Sequence, residues 1–224
     1  MKKLMIALLC CTPLMAMAQW ETPDAPVQNE QKTSETKKEN KQKKEQEAPK
    51  PAKDYQWAAY LGDVVPVNAE GDVVWERTFK NTLSAEENYD RMMGYLKRLM
   101  TQETMNKESR IALVNKAEMS IACHVDEYIT FSSNFISLDR SHLIYTLLVS
   151  CADNAVTVKA YRISYWYDEN RNGGVRYQAE TWITDKYAVN KKHTKLLPIS
   201  GKFRRKTVDR MEQLMKDFDY EIRR

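Results

Sequence analysis

Two alternating runs meet at a short turn near the middle of the chain. Leu143, Tyr145, Leu147, Val149 and Cys151 place an apolar residue at every second position, and Asp153-Asn154 interrupts the run before Val156 to Tyr167. Side chains on a strand point alternately to its two faces, so each run offers one apolar face. Asp and Asn tolerate left-handed backbone angles and suit a two-residue hairpin loop. That loop sets Cys151 opposite Val156, Val149 opposite Val158 and Leu147 opposite Ala160, joining the two faces into one. A chain with this hairpin folds around an antiparallel sheet whose apolar face needs a cover.

The cover is legible on either side. Ser84-Ala85-Glu86-Glu87 is a capping box with Ser84 as N-cap. Tyr89, Met92, Met93, Leu96 and Leu99 or Met100 follow at helical spacing, which predicts a helix ending near Thr104. A second helix is predicted from about Lys202 to Ile222, with Val208, Met211, Leu214, Met215, Phe218 and Ile222 as its buried stripe. Further strands are expected at 64–67 and 73–79 around Gly71-Asp72, over 111–125, and from Val175 to Thr184 after the turn Asn172-Gly173-Gly174. In 111–125 the expected apolar face is Ile111, Leu113, Met119, Ile121, Cys123 and Val125. The order is β-α-β4-α, an α+β domain with five or six antiparallel strands and two helices on one face. So few strands cannot wrap two helices, so the opposite face is expected to be at least partly open.

The N-terminus is of another kind. Residues 1–18 have a short basic start at Lys2 and Lys3, an apolar run to about Leu14, and small residues at Ala16 and Ala18. That is the layout of a secretory signal peptide cleaved before Gln19. The apolar run is too short to span a bilayer, so no transmembrane segment is expected in the mature chain. Cys10 and Cys11 lack the preceding small residue of a lipidation site. Residues 19–53 are Lys-, Glu-, Gln- and Pro-rich with almost nothing apolar, the composition of a disordered linker. The single folded domain is expected over 54–224. Export points to the periplasm or the cell surface.

Candidate chemistry is sparse. Without residues 1–18 the net charge falls from +4 by the two lysines to +2, too little to suggest nucleic acid. Of four cysteines, Cys123 and Cys151 remain; they can form one disulfide, and two buried thiols would look the same in sequence. His124, His142 and His193 share no ligand spacing, so neither a metal site nor a cofactor is expected. A Cys123–His142 nucleophile pair across strands lacks an identifiable Asn or Asp to orient it, and Cys123 reads better as an inert buried thiol.

Two features suggest a contact surface. Tyr161, Tyr165 and Tyr167 are expected on one face of a strand, with Trp166 on the other. Rings on an open sheet face could receive a sugar, a peptide or a partner protein, although core packing explains part of the pattern. Residues 186–206 carry Lys186, Lys191, Lys192, Lys195, Lys202, Arg204, Arg205 and Lys206 with no acid among them. Basic residues at a helix start oppose its dipole, which suggests a use elsewhere. The expected contact set is Tyr161, Tyr165, Tyr167, Lys191, Lys192, Arg204 and Arg205.

The stretch Lys202-Phe203-Arg204-Arg205-Lys206-Thr207-Val208-Asp209-Arg210, with Asp185 to Lys195 before it, resembles the domain-of-unknown-function 4468 family. The likeness extends over roughly 64–222, with 126–141 the hardest part to match. It implies an exported Gram-negative bacterial protein and a curved antiparallel sheet with two helices on one side, like the TATA-binding protein. It implies no catalytic residues. The combined expectation is a non-enzymatic binding module of the periplasm or cell surface, taking an envelope protein or a small ligand and no nucleic acid. The alternatives are a small envelope enzyme with an unrecognised site, or a structural part of an envelope assembly.

Overall fold

The computed structural model describes residues 57–133 and 138–224. Ala16, Ala18, Gln19 and the whole of 1–53 lie outside the described residues. Among the described residues, six strands and three α-helices run in the order β1 (Trp75–Lys80), α1 (Ala85–Leu99), β2 (Arg110–Asn115), β3 (Ser120–Ser133), β4 (Leu138–Ala152), β5 (Ala155–Tyr167), β6 (Val175–Gln178), α2 (Asp185–Ala188) and α3 (Ser200–Arg223). All pairings are antiparallel, in the order β1-β5-β4-β3-β2. β6 pairs with the far half of the β5 edge that β1 leaves uncovered.

The β4–β5 hairpin has the register its alternation demands, with Cys151, Val149 and Leu147 opposite Val156, Val158 and Ala160. Asn154 takes the left-handed conformation at φ 63°. The hairpin turn also builds the start of α1. Ser84 and Glu87 form the capping box, and the Asp153 carboxylate accepts from the Ala85 N–H at 2.8 Å. Asn88, fully buried, donates to the Ala152 carbonyl at 3.0 Å. One turn thus fixes both strand register and helix entry.

Helices α1 and α3 cover one face. Tyr89, Met92, Leu96 and Leu99 of α1 and Phe203, Met211, Leu214 and Phe218 of α3 pack on Ile121, Cys123, Val125, Leu143, Leu147, Val149, Val156 and Val158. Each fully buried apolar side chain contributes about 1.5–3 kcal/mol. A polar cluster is enclosed with them. Arg210 Nε lies 2.9 Å from both Glu127 carboxylate oxygens, and Tyr145 donates to Glu127 at 2.8 Å.

The structure departs from expectation at several points. Helix α1 ends at Leu99, earlier than Thr104. Residues 64–67 form no strand of the sheet and contribute only a Val67–Val73 bridge. The 111–125 stretch is two strands around a turn, and a bulge in β2 leaves Leu113 exposed. β6 stops at Gln178 and gives way to a single 3-10 turn, Ala179–Thr181.

Candidate functional site on the open sheet face

The largest correction lies in β5. Ile144 pairs with Ser164 but Thr146 pairs with Tyr161, so Arg162 and Ile163 together oppose Tyr145. This bulge, with Arg162 at φ 56°, shifts the alternation by one residue. Before it Val156, Val158 and Ala160 face the helices; after it Ile163 and Tyr165 are fully buried there. The three tyrosines therefore do not share a face. Tyr165 is fully buried and bonds Thr207, and Tyr167 packs on Phe131 and Phe203. Tyr161 and Trp166 go to the other side.

What assembles on the open face is a different row. Tyr128 of β3, His142 of β4, Trp166 of β5 and Arg176 of β6 occupy directly paired positions on four neighbouring strands. The His142 ring lies 4.5 Å from Tyr128 and 5.0 Å from Trp166, centroid to centroid. Two guanidiniums close the ends: Arg140 is 3.9 Å from the Tyr128 centroid and Arg176 is 4.7 Å from that of Trp166. Such stacking of cations on ring faces adds about 0.5–2 kcal/mol per pair.

His142 is the centre. It is 3% exposed, and each ring nitrogen meets a carboxylate. Nδ1 is 2.7 Å from Asp126, itself buried, and Nε2 is in direct hydrogen-bond contact with Glu169. Asn106 lies 3.3 Å from both Nδ1 and the Tyr128 hydroxyl. Arg140 reaches the other Glu169 oxygen at 3.2 Å. Burial alone would raise the Glu169 carboxyl; hydrogen bonding and charge from His142 and Arg140 outweigh it and hold the group below its ordinary value. Burial together with the Glu169 charge raises the Tyr128 hydroxyl.

A polar cleft of about 540 Å³ opens beside this row, lined by Arg140, His142, Trp166 and Glu169 together with Asp168, Asn170 and Arg171. Glu169 comes from the β5–β6 loop. That loop turns back through left-handed conformations at Asp168, Asn172, Gly173 and Gly174. A side chain at Gly174 would meet the Trp166 indole nitrogen at 2.6 Å and the Tyr167 carbonyl at 2.7 Å, so the loop approaches the sheet only because that residue is glycine.

The basic candidates are dispersed. Arg204 is fully buried and cannot form a contact surface. Its guanidinium donates to the carbonyls of Tyr60, Gly62 and Ile183 and pairs with Asp185 at 2.7 Å. Lys202 binds Asp139 at 2.7 Å. Lys191 and Lys192 are exposed and Arg205 is half-buried, all away from the His142 cleft lining. At the start of α3, Lys202 and Arg204 thus serve internal pairing.

Cys123 and Cys151 are free and buried. Cys123 pairs with Leu147, four residues along β4 from Cys151, a separation of roughly 13 Å by strand rise. That is beyond the reach of a disulfide. Burial pushes their thiols up to about 12 and about 11. Cys123 faces the helices and His142 the opposite side, which removes the Cys123–His142 pair.

Comparison with known proteins gives a consistent picture. A family model described as a domain of unknown function (DUF4468) with TBP-like fold matches residues 75–166. A crystal structure of a DUF4468 family protein from Bacteroides ovatus is 34% identical, with a TM-score of 0.67 over 74% of this chain and 94% of that one. A TBP-like protein from Parabacteroides distasonis, 20% identical, superposes with a TM-score of 0.58 over 71% of this chain and 97% of that one. No curated protein matches the sequence.

Proposed function

Because the chain belongs to the DUF4468 family, of unknown function and TBP-like fold, we propose a role argued from its own site: a non-enzymatic binding module that takes a polar ligand in the His142 cleft. The observation that carries this reading is a histidine buried between two carboxylates at the edge of a 540 Å³ cleft. Pockets with a few convergent, pre-oriented polar groups are where ligands are held. Asp126 orients one ring nitrogen, so the other is aimed. A nucleophile positioned against this ring is not among its hydrogen-bond partners, which are Asn106, Asp126 and Glu169.

The address is part of the proposal. Residues 1–18 direct export, residues 19–53 act as a spacer, and the domain works in the periplasm or at the cell surface, on an envelope component. The helix-covered face supplies stability and the open face supplies contact.

The test uses mature protein, residues 19–224, immobilised and exposed to an envelope extract, with bound species identified by mass spectrometry. A species retained by the wild type and lost from Arg140→Ala supports the reading. Equal retention by both proteins, or conversion of an extract component by the wild type, overturns it.

A further inference from the structure

The Glu169 carboxylate occupies its position in the manner of a ligand. One oxygen meets His142 Nε2 and the other meets an Arg140 guanidinium nitrogen at 3.2 Å. A ring N–H beside a guanidinium is a forked donor set suited to a planar carboxylate. The residue delivering it sits in a turn, not on a strand. Asp168 beside it, and Asn172 three residues on, hold left-handed angles at φ 56° and 51°, which Asp and Asn tolerate in turns. The loop is held by its own turn bonds, Arg171 N–H to the Asp168 carbonyl and Gly174 N–H to the Arg171 carbonyl, both at 2.9 Å, and is tied to the sheet by the Glu169 pairings and a hydrogen bond from the Trp166 indole to the Gly173 carbonyl at 2.8 Å.

Charge bookkeeping around the cleft points the same way. Asp126 stays with His142, Asp168 with Arg171 and Asp139 with Lys202. Take Glu169 away, and the Arg140 guanidinium is left without its anion while His142 Nε2 loses its acceptor. The vacated position is cationic, lies in the cleft and is shaped for two oxygens. We propose that Arg140 and His142 form a carboxylate-binding site, filled in this state by the chain's own Glu169, and that a carboxylate-bearing ligand enters by displacing the loop at 168–174.

This assignment rests on the cleft being the binding site and adds the ligand's chemical class. It gives Glu169 the role of an internal competitor. A tethered group competes at an effective concentration in the millimolar range, so it weakens small carboxylates without abolishing their binding. A free peptide C-terminus and an acidic sugar share the recognised group, and the experiment separates them.

The probes are N-acetylglycine, for a peptide terminus, and glucuronate, for an acidic sugar, with N-acetylglycinamide as the uncharged control. Each is titrated into mature wild-type protein, Glu169→Gln and the double variant Glu169→Gln/Arg140→Gln, while the His142 ring resonances are followed by NMR. Native-like amide spectra establish that each variant is folded. The expected result is that at least one acid shifts the His142 signals and binds Glu169→Gln about tenfold more tightly than wild type, the gain expected if the loop is open about one-tenth of the time. The double variant loses that gain, and the amide has no effect. Equal affinity for Glu169→Gln and wild type, or His142 signals unmoved by either acid, overturns the carboxylate assignment. An envelope species still retained through Arg140 would then leave the cleft as a binding site for another chemistry.

Discussion

Single residues on the two sides of the sheet do different work. Glu127 is 2% exposed and anchors Arg210 and Tyr145 beneath the helices. Glu127→Ala strips the partly buried Arg210 guanidinium of its close anion and leaves it only Asp217 at 4.0 Å, and urea unfolding should show a loss of about 3 kcal/mol. Across the sheet, Glu169 links stability to pH. Its folded-state carboxyl is held below the ordinary 4.5, so its contribution is full above that value and is lost as pH falls through the lower folded value. Stability measured from about pH 5 to about pH 3 should fall more steeply for wild type than for Glu169→Gln; parallel curves would remove Glu169 from the pH response. The cysteines give a simpler check. Both thiols should resist a thiol reagent in the native state and react together after unfolding, two per chain among the described cysteines.

At the scale of elements, legibility followed periodicity. The β4–β5 register and the α1 cap could be read because alternation, turn chemistry and capping are local signals, and the structure has them where the residues put them. The bulge at Arg162 could not, since one extra residue in a strand leaves no mark on composition, and it reversed the faces of Tyr165 and Tyr167. The site was missed for a related reason. β3 runs on to Ser133, past the last residue of the expected 111–125 strand, so Asp126 and Tyr128 fall beyond any expected strand. Glu127, Ile129 and Phe131 alternate with them, and that continuation was the available clue. Buried charge inside a strand, at Asp126 and Glu127, broke the apolar pattern at the place where the site begins. The Asp153 carboxylate that caps Ala85 is long-range, 68 residues away. Asp153→Ala should destabilise the fold by about 1 kcal/mol, as loss of a helix cap does, and a melting curve indistinguishable from wild type would show that Ser84 suffices.

The described residues form a sheet with one face covered by α1 and α3 and the other carrying a stacked polar row. The fold class matches the expectation from element order, whereas function could not follow from fold, because a TBP-like sheet is a platform and its site decides what it holds. Export remains a separable claim: the N-terminus of protein recovered from the cell envelope should begin at Gln19, and an intact Met1 would contradict it. Binding at the cleft around His142 is what the proposed function stands on. The most direct measurement is an amide and side-chain NMR map of the mature protein as the small-molecule fraction of an envelope extract is added. Binding in the cleft should give perturbations clustered at Arg140, His142, Trp166 and Glu169. Shifts confined to the exposed Lys191–Lys192 loop or to the helix-covered face would contradict it.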